Sequence, residues 1–131
     1  MRAAGVVALA GTDAIDPEVI HGFALHEELE YLVRAGLTPA EALAAATTVP
    51  ARFMGVDGIV GRIAAGQRAD LVLLDADPLI DIRNSRRIHT VVFDGRVFGP
   101  TERRALLTFV EGQAHRASIV SRFLRGLWYG G

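Results

Sequence analysis

Apolar residues fall along this chain in three rhythms, and each predicts a different kind of element. The run Val6-Val7-Ala8-Leu9-Ala10 is unbroken, as in a strand buried on both faces. Gly11 allows a tight exit, and Asp13 then projects from the strand's C-terminal end. Further on, Leu25, Leu29, Leu32 and Val33 recur at helical spacing and predict an amphipathic helix over 22–35, stopped by Gly36. Thr38-Pro39-Ala40-Glu41 has the form of a capping box with proline at the first helical position, so a second helix starts there and ends near Thr47-Thr48. Pro50 opens one further turn, closed by Gly55.

From Val56 the rhythm shortens. Ile59–Ile63, Ala69–Asp75 and Ile88–Asp94 read as short strands, punctuated by Gly58, Gly61, Gly66 and Asp77-Pro78. Asp94-Gly95 is a two-residue hairpin signal leading into Arg96-Val97-Phe98. Gly99-Pro100 ends this antiparallel unit, and Thr101 is placed to cap a last helix. Leu106, Phe109, Val110, Ala117, Val120, Leu124 and Leu127 form its apolar stripe, with a bend expected at Gly112. Unbroken, ~25 helical residues would span roughly 37 Å, and such a helix is expected to pack on a neighbouring chain. The chain thus divides into 1–55, 56–99 and 100–131.

Composition narrows the class. The chain has 131 residues, half of them hydrophobic, and a net charge of −1, which fits a folded domain and leaves no electrostatic footprint for nucleic acid or an anionic membrane. No apolar run approaches the ~18 residues of a membrane span. Cysteine is absent, which excludes disulfides, thiolate nucleophiles and Cys-based metal sites. Met1-Arg2 and the following apolar run have the flavour of a signal peptide, but the segment is shorter than the usual ~15–30 residues. It reads as a core strand of a cytoplasmic protein.

Candidate chemistry centres on Asp13, because ligands gather at the C-terminal ends of parallel strands. A carboxylate there can accept a proton, bind a metal or cap the next loop, and Thr12 is placed to orient it. His21, in the following loop, is placed to border a substrate pocket. His26 lies about 140° from His21 on a helix, so the two do not share a face. His26-Glu27 begins like a zinc-protease motif, but Glu30 stands where the second histidine is needed, and His26 reads as an exposed or helix-lining residue. His89 reads as a surface residue of the β unit and His115 as solvated. Asp70 and Asp75 bracket an apolar strand. Arg83, Arg86 and Arg87, close in sequence to Asp77 and Asp81, read as a salt-bridge patch.

Taken in order, Gly11-Thr12-Asp13-Ala14, His21-Gly22, His26-Glu27-Glu28-Leu29, Ala35 to Leu43, Ala46-Thr47, Pro50-Ala51-Arg52, Gly61-Arg62-Ile63, Gly66 to Asp75 and Asp77-Pro78-Leu79 form a succession. It resembles the C-terminal part of the metal-dependent amidohydrolase superfamily, over about residues 4–99. The branch it most resembles holds imidazolonepropionase-like and Xaa-Pro dipeptidase-like enzymes. The resemblance implies an α/β fold: the last βα unit of a TIM-like barrel, the C-terminal strands of a small β-sandwich and a terminal helix, together an incomplete barrel. It also implies that Asp13 sits beside one or two divalent metals, takes a proton from metal-bound water and helps deliver one to the leaving nitrogen.

The family's other metal ligands are a His-x-His, a Lys or Glu, and further histidines on earlier strands. This sequence has four histidines, none at His-x-His spacing, and no lysine. A lone carboxylate cannot hold a catalytic zinc, which needs about three protein ligands. A divalent metal, zinc in the family, is therefore expected only if another segment or chain supplies the remaining ligands. Two expectations follow. The chain is the Asp13-bearing part of a C–N hydrolase, inactive in isolation, and either completed by an N-terminal partner chain or a truncated product. Alternatively, it is a non-catalytic module, derived from such an enzyme, that assembles as a homo-oligomer through open strand edges and the last helix.

Overall fold

The computed structural model describes residues 7–13 and 22–113. His21, His115 and the stripe from Ala117 onward lie outside the described residues. Chain contacts divide the protein into two compact units, Met1–Val97 and Phe98–Gly131.

In the first unit, three helices, α1 (Ala24–Arg34), α2 (Pro39–Ala46) and α3 (Thr48–Phe53), precede a sheet of β1 (Leu71–Leu74), β2 (Ile88–Phe93) and β3 (Arg96–Phe98). A 3-10 turn, Ile82–Arg86, lies between β1 and β2. Strand order is β1-β2-β3, and the last residue of β3 opens the second unit.

The connection between α1 and α2 is closed by its own chemistry. Gly36 takes a φ of +102°, a left-handed value that glycine adopts without a Cβ penalty. Its N–H donates to the Val33 carbonyl at 3.0 Å, and the Leu37 N–H donates to the Leu32 carbonyl at 3.1 Å. The orphan carbonyls at the end of α1 are thereby satisfied. Two residues later the Thr38 hydroxyl accepts the Glu41 N–H, and the Glu41 carboxylate accepts the Thr38 N–H at 2.7 Å. Both halves of the expected capping box are present.

This tight turn lays α2 against α1. The buried centre is Leu29, Ala42 and Ile82, with Leu32, Val33, Leu43 and Ala46 packed around it. Ala42 lets the two helices approach closely, and Ile82 brings the 3-10 turn onto their surface. An ion pair fastens the same joint: the Arg86 guanidinium donates to Glu30 Oε1 from both Nε and Nη2, at 3.0 and 2.8 Å.

The sheet is antiparallel where β1 meets β2. Leu71 pairs with Val92, Val72 with Val91 and Leu73 with Thr90, and the register slips before Leu74 meets Ile88. Asp94 and Gly95, at φ +48° and +72°, make the turn into β3, as the Asp-Gly pair predicts. The Asp70 carboxylate secures that turn by accepting the Asp94 N–H at 3.0 Å, and this bond, followed by Arg68, holds its pKa below the ordinary carboxylate value.

Three expected local features differ. Val7–Ala10 is not a strand: the Ala10 N–H donates to the Ala45 carbonyl of α2 at 2.9 Å, and Val7 is 70% exposed. Among the described residues no strand lies beside it, and an extended segment without a ladder partner is not a strand. Ile59–Ile63 is a series of turns, because the Ile59 and Val60 N–H groups both bond back to the Val56 carbonyl. Gly61, at φ +98°, brings this loop onto α3, where a Cβ would stand 2.6 Å from Ala51 Cβ and 3.0 Å from the Thr47 carbonyl oxygen. Only glycine permits that approach. The third feature lies in the second unit. Its helix covers 100–113 of the described residues and begins two residues earlier than expected. The Arg103 N–H bonds to the Gly99 carbonyl at 3.0 Å, so Gly99 is the cap, Pro100 the first helical residue, and Thr101 lies inside the first turn. Leu106, Phe109 and Val110 are more than half exposed on this helix. No described helix is long and apolar enough to cross a membrane.

Candidate functional site

Asp13 ends a segment that two hydrogen bonds tie to the helices. The first is the Ala10–Ala45 bond to α2; the second runs from the Gly11 N–H to the Glu28 carboxylate of α1, at 3.4 Å. Asp13 itself is exposed and has a φ of +46°. Aspartate is one of the few non-glycine residues that visit the left-handed region, because its short side chain can bond locally. Non-glycine residues there concentrate at functional sites, where surrounding structure holds them against the local preference. Glu28 was not legible as a contributor, since nothing in its spacing from Gly11 marks the contact.

A cavity of about 660 Å³ lies elsewhere in the same unit, between the helices, the 56–63 loop and β1. Its wall is mostly apolar and includes Leu25, Ala46, Met54, Ile63, Val72 and Leu74. Asp13 does not line it. The polar side chains at its wall are mostly paired: Arg68 Nε donates to Asp70 at 2.9 Å, and the Thr47 hydroxyl donates to the Leu43 carbonyl at 2.7 Å.

His26 belongs to this wall, half-buried, with Nδ1 3.0 Å from the hydroxyl of Ser85, a residue only 6% exposed. It is thus a helix-lining histidine with a specific partner, 59 residues away in sequence. Burial lowers its pKa, the Arg86 guanidinium lowers it further, and Glu30 opposes both. His89 sits on the sheet with Nδ1 2.9 Å from Asp75 Oδ1. Among Arg83, Arg86 and Arg87, the first chelates Asp81, which holds the Asp81 pKa down, and the second meets Glu30. The expected salt-bridge character therefore extends beyond the local turn to α1.

The His89–Asp75 contact is a single pair, not a ligand cluster. Among the described residues there is no group of three or more His, Asp or Glu side chains that could hold a metal ion. The donor set on this part of the chain does not by itself fit a divalent metal, which needs about three protein ligands.

Comparison with known proteins gives the geometry a context. The model of the amidohydrolase family matches residues 1–98. The imidazolonepropionase of Rubrobacter xylanophilus is 60% identical over 43 residues, which are 33% of this chain and 10% of that protein. Among solved structures, molinate hydrolase superposes with a TM-score of 0.67 at 32% identity, over 72% of this chain and 24% of its own. A Xaa-Pro dipeptidase superposes with a TM-score of 0.57 at 28% identity, over 61% of this chain and 20% of its own. The chain therefore spans a quarter or less of the length of each of these relatives. A family match across three quarters of the sequence, joined to solved hydrolase structures that superpose on 61–72% of it, places this chain in the amidohydrolase family, as a C-terminal segment.

Proposed function

We propose that this chain is the C-terminal part of a metal-dependent amidohydrolase that hydrolyses an amide-type C–N bond, with Asp13 as its proton-transfer carboxylate. The observation that carries the reading is the left-handed Asp13 at the end of an anchored segment, inside the residues that match the family. In this reading the segment before Asp13 becomes the last strand of a parallel barrel when its neighbour is present, and β1–β3 contribute to a small sandwich beside it.

The chemistry asks little of Asp13 beyond position. One carboxylate oxygen accepts a proton from the water that attacks the substrate carbonyl. As the tetrahedral centre collapses and the C–N bond breaks, the same oxygen returns a proton to the departing nitrogen. The divalent metal that the family uses would polarise the water when bound. Because the described residues lack a ligand set, the other ligands come from polypeptide that the relatives have and this chain does not span. The isolated chain is accordingly inactive. His21, eight residues beyond Asp13, borders the substrate in this reading.

The test is Asp13→Asn in the chain assembled with the rest of a barrel. Asparagine keeps the size of the side chain and removes its basicity, so turnover of an amide substrate should fall by about 10²–10⁴-fold. An Asp13→Asn variant as active as the parent would remove Asp13 from the mechanism and leave the assembly-module alternative.

A further inference from the structure

The whole-chain charge of −1, which by itself offers an anionic membrane nothing, averages two unlike parts. Residues 100–131 carry Arg103, Arg104, Arg116, Arg122 and Arg125 against Glu102 and Glu111, a net +3, which leaves −4 on residues 1–99. The basic part lies beyond the family match, which ends at residue 98, so the hydrolase reading assigns it no task. Its described portion is the helix over 100–113. Leu106 is 51% exposed, Phe109 63% and Val110 60%, and their spacing of three and four residues puts them on one face. Arg103 and Arg104 stand beside and opposite that face, about 60° and 160° from Leu106 around the helix. Along the sequence the same period runs on through Ala117, Val120, Leu124 and Leu127, and the aromatic pair Trp128-Tyr129 follows.

Charge decides what covers such a face. Two copies of the segment laid together would set +3 against +3, whereas an anionic lipid surface attracts it. Arginine around an apolar stripe, with tryptophan and tyrosine close by, is also the composition that seats a segment at the level of lipid headgroups. We propose that residues 100–131 bind an anionic lipid surface, with Leu106, Phe109 and Val110 entering the headgroup boundary and the arginines meeting the lipid phosphates. The segment lies on the bilayer and does not cross it, for no described helix is long and apolar enough to do so. The contact is independent of Asp13 and of the family's chemistry, and it governs where the chain is held.

Trp128 is the chain's only tryptophan and reports the contact without a label. The full chain is mixed with vesicles of phosphatidylcholine alone, or of phosphatidylcholine and phosphatidylglycerol in equal parts. Binding is followed by co-sedimentation and by Trp128 emission. Partition into the anionic vesicles should be stronger than into the neutral ones on the order of 10²-fold, the factor for three net charges near the surface. Emission should shift to shorter wavelength on binding, and high salt should reverse both effects. Leu106→Gln combined with Val110→Gln keeps the charge and the helix propensity at two exposed positions. It removes apolar area from the face and should weaken partition by roughly tenfold or more. Three results would overturn the lipid contact: no partition into either vesicle, equal partition into both, or a double variant that partitions as the parent does. Light scattering of the lipid-free chain tests the other occupant. A parent dimer that the double variant converts to monomer would give the face to a second copy instead.

Discussion

At the scale of single residues, burial and pairing decide more than residue type. His26 shows how. Its ring is half-buried against Ser85, and burial, reinforced by Arg86, lowers its pKa. The folded chain then binds the His26 proton less readily than the unfolded chain, whose histidine titrates near ~6.5. The stability contributed by the neutral ring is complete above that value and is lost as pH falls through the lower folded pKa. Urea midpoints of the parent and of His26→Gln, measured between about pH 8 and pH 5, should therefore differ most at the alkaline end and converge on acidification. Parallel curves would show that His26 does not carry the proton linkage. Neither Ser85 nor Glu28 could be picked from the sequence as a partner, because each contact joins elements distant in the chain. The Asp13 backbone was equally hidden, since a left-handed aspartate leaves no compositional trace.

At the scale of elements, the chain was most legible where the controlling chemistry is local. The capping box of α2 is complete, and Thr38→Ala should destabilise the fold by about 0.5–2 kcal/mol, read from the denaturant midpoint at unchanged slope. An unchanged midpoint would mean that α2 is held by packing alone. Gly36 at the end of α1 and Asp94-Gly95 between β2 and β3 were readable for the same reason, as each needs only its own backbone geometry. Ile59–Ile63 has the composition of a strand, yet its N–H groups close on Val56 and Gly61 presses the loop onto α3. Strand propensity is a preference for a half-buried pleated surface, and with no ladder offered there, the residues turn instead. The 3-10 turn at Ile82–Arg86 was not anticipated either. It depends on Asp81 accepting the Arg83 N–H at 3.0 Å and on the Asn84 side chain reaching back to the Asp77 carbonyl at 2.9 Å.

At the scale of the whole molecule, the family was readable because many weak signals stood in order along the chain, although no single one was specific. The chemistry is less complete than the ancestry, for the described residues contain no cluster able to hold a metal ion. After dialysis against zinc, the isolated chain should retain well below one equivalent, as measured by elemental analysis of the sized protein peak. Stoichiometric zinc on that peak would require a ligand set beyond Asp13 within this chain and would overturn the claim that another segment completes it.

The turn between α1 and α2 has a consequence in time. Its carbonyls and N–H groups are answered within Leu32 to Glu41, so the turn itself closes through contacts only a few residues apart. Local closure carries little loop entropy and proceeds on the microsecond scale of helix formation, whereas β1 must find β2 across more than a dozen intervening residues. A ribosome adds roughly 5–20 residues each second. The turn can therefore form and reform many times before Ile82 and Arg86, which complete the packing of α1 and α2, have been synthesised.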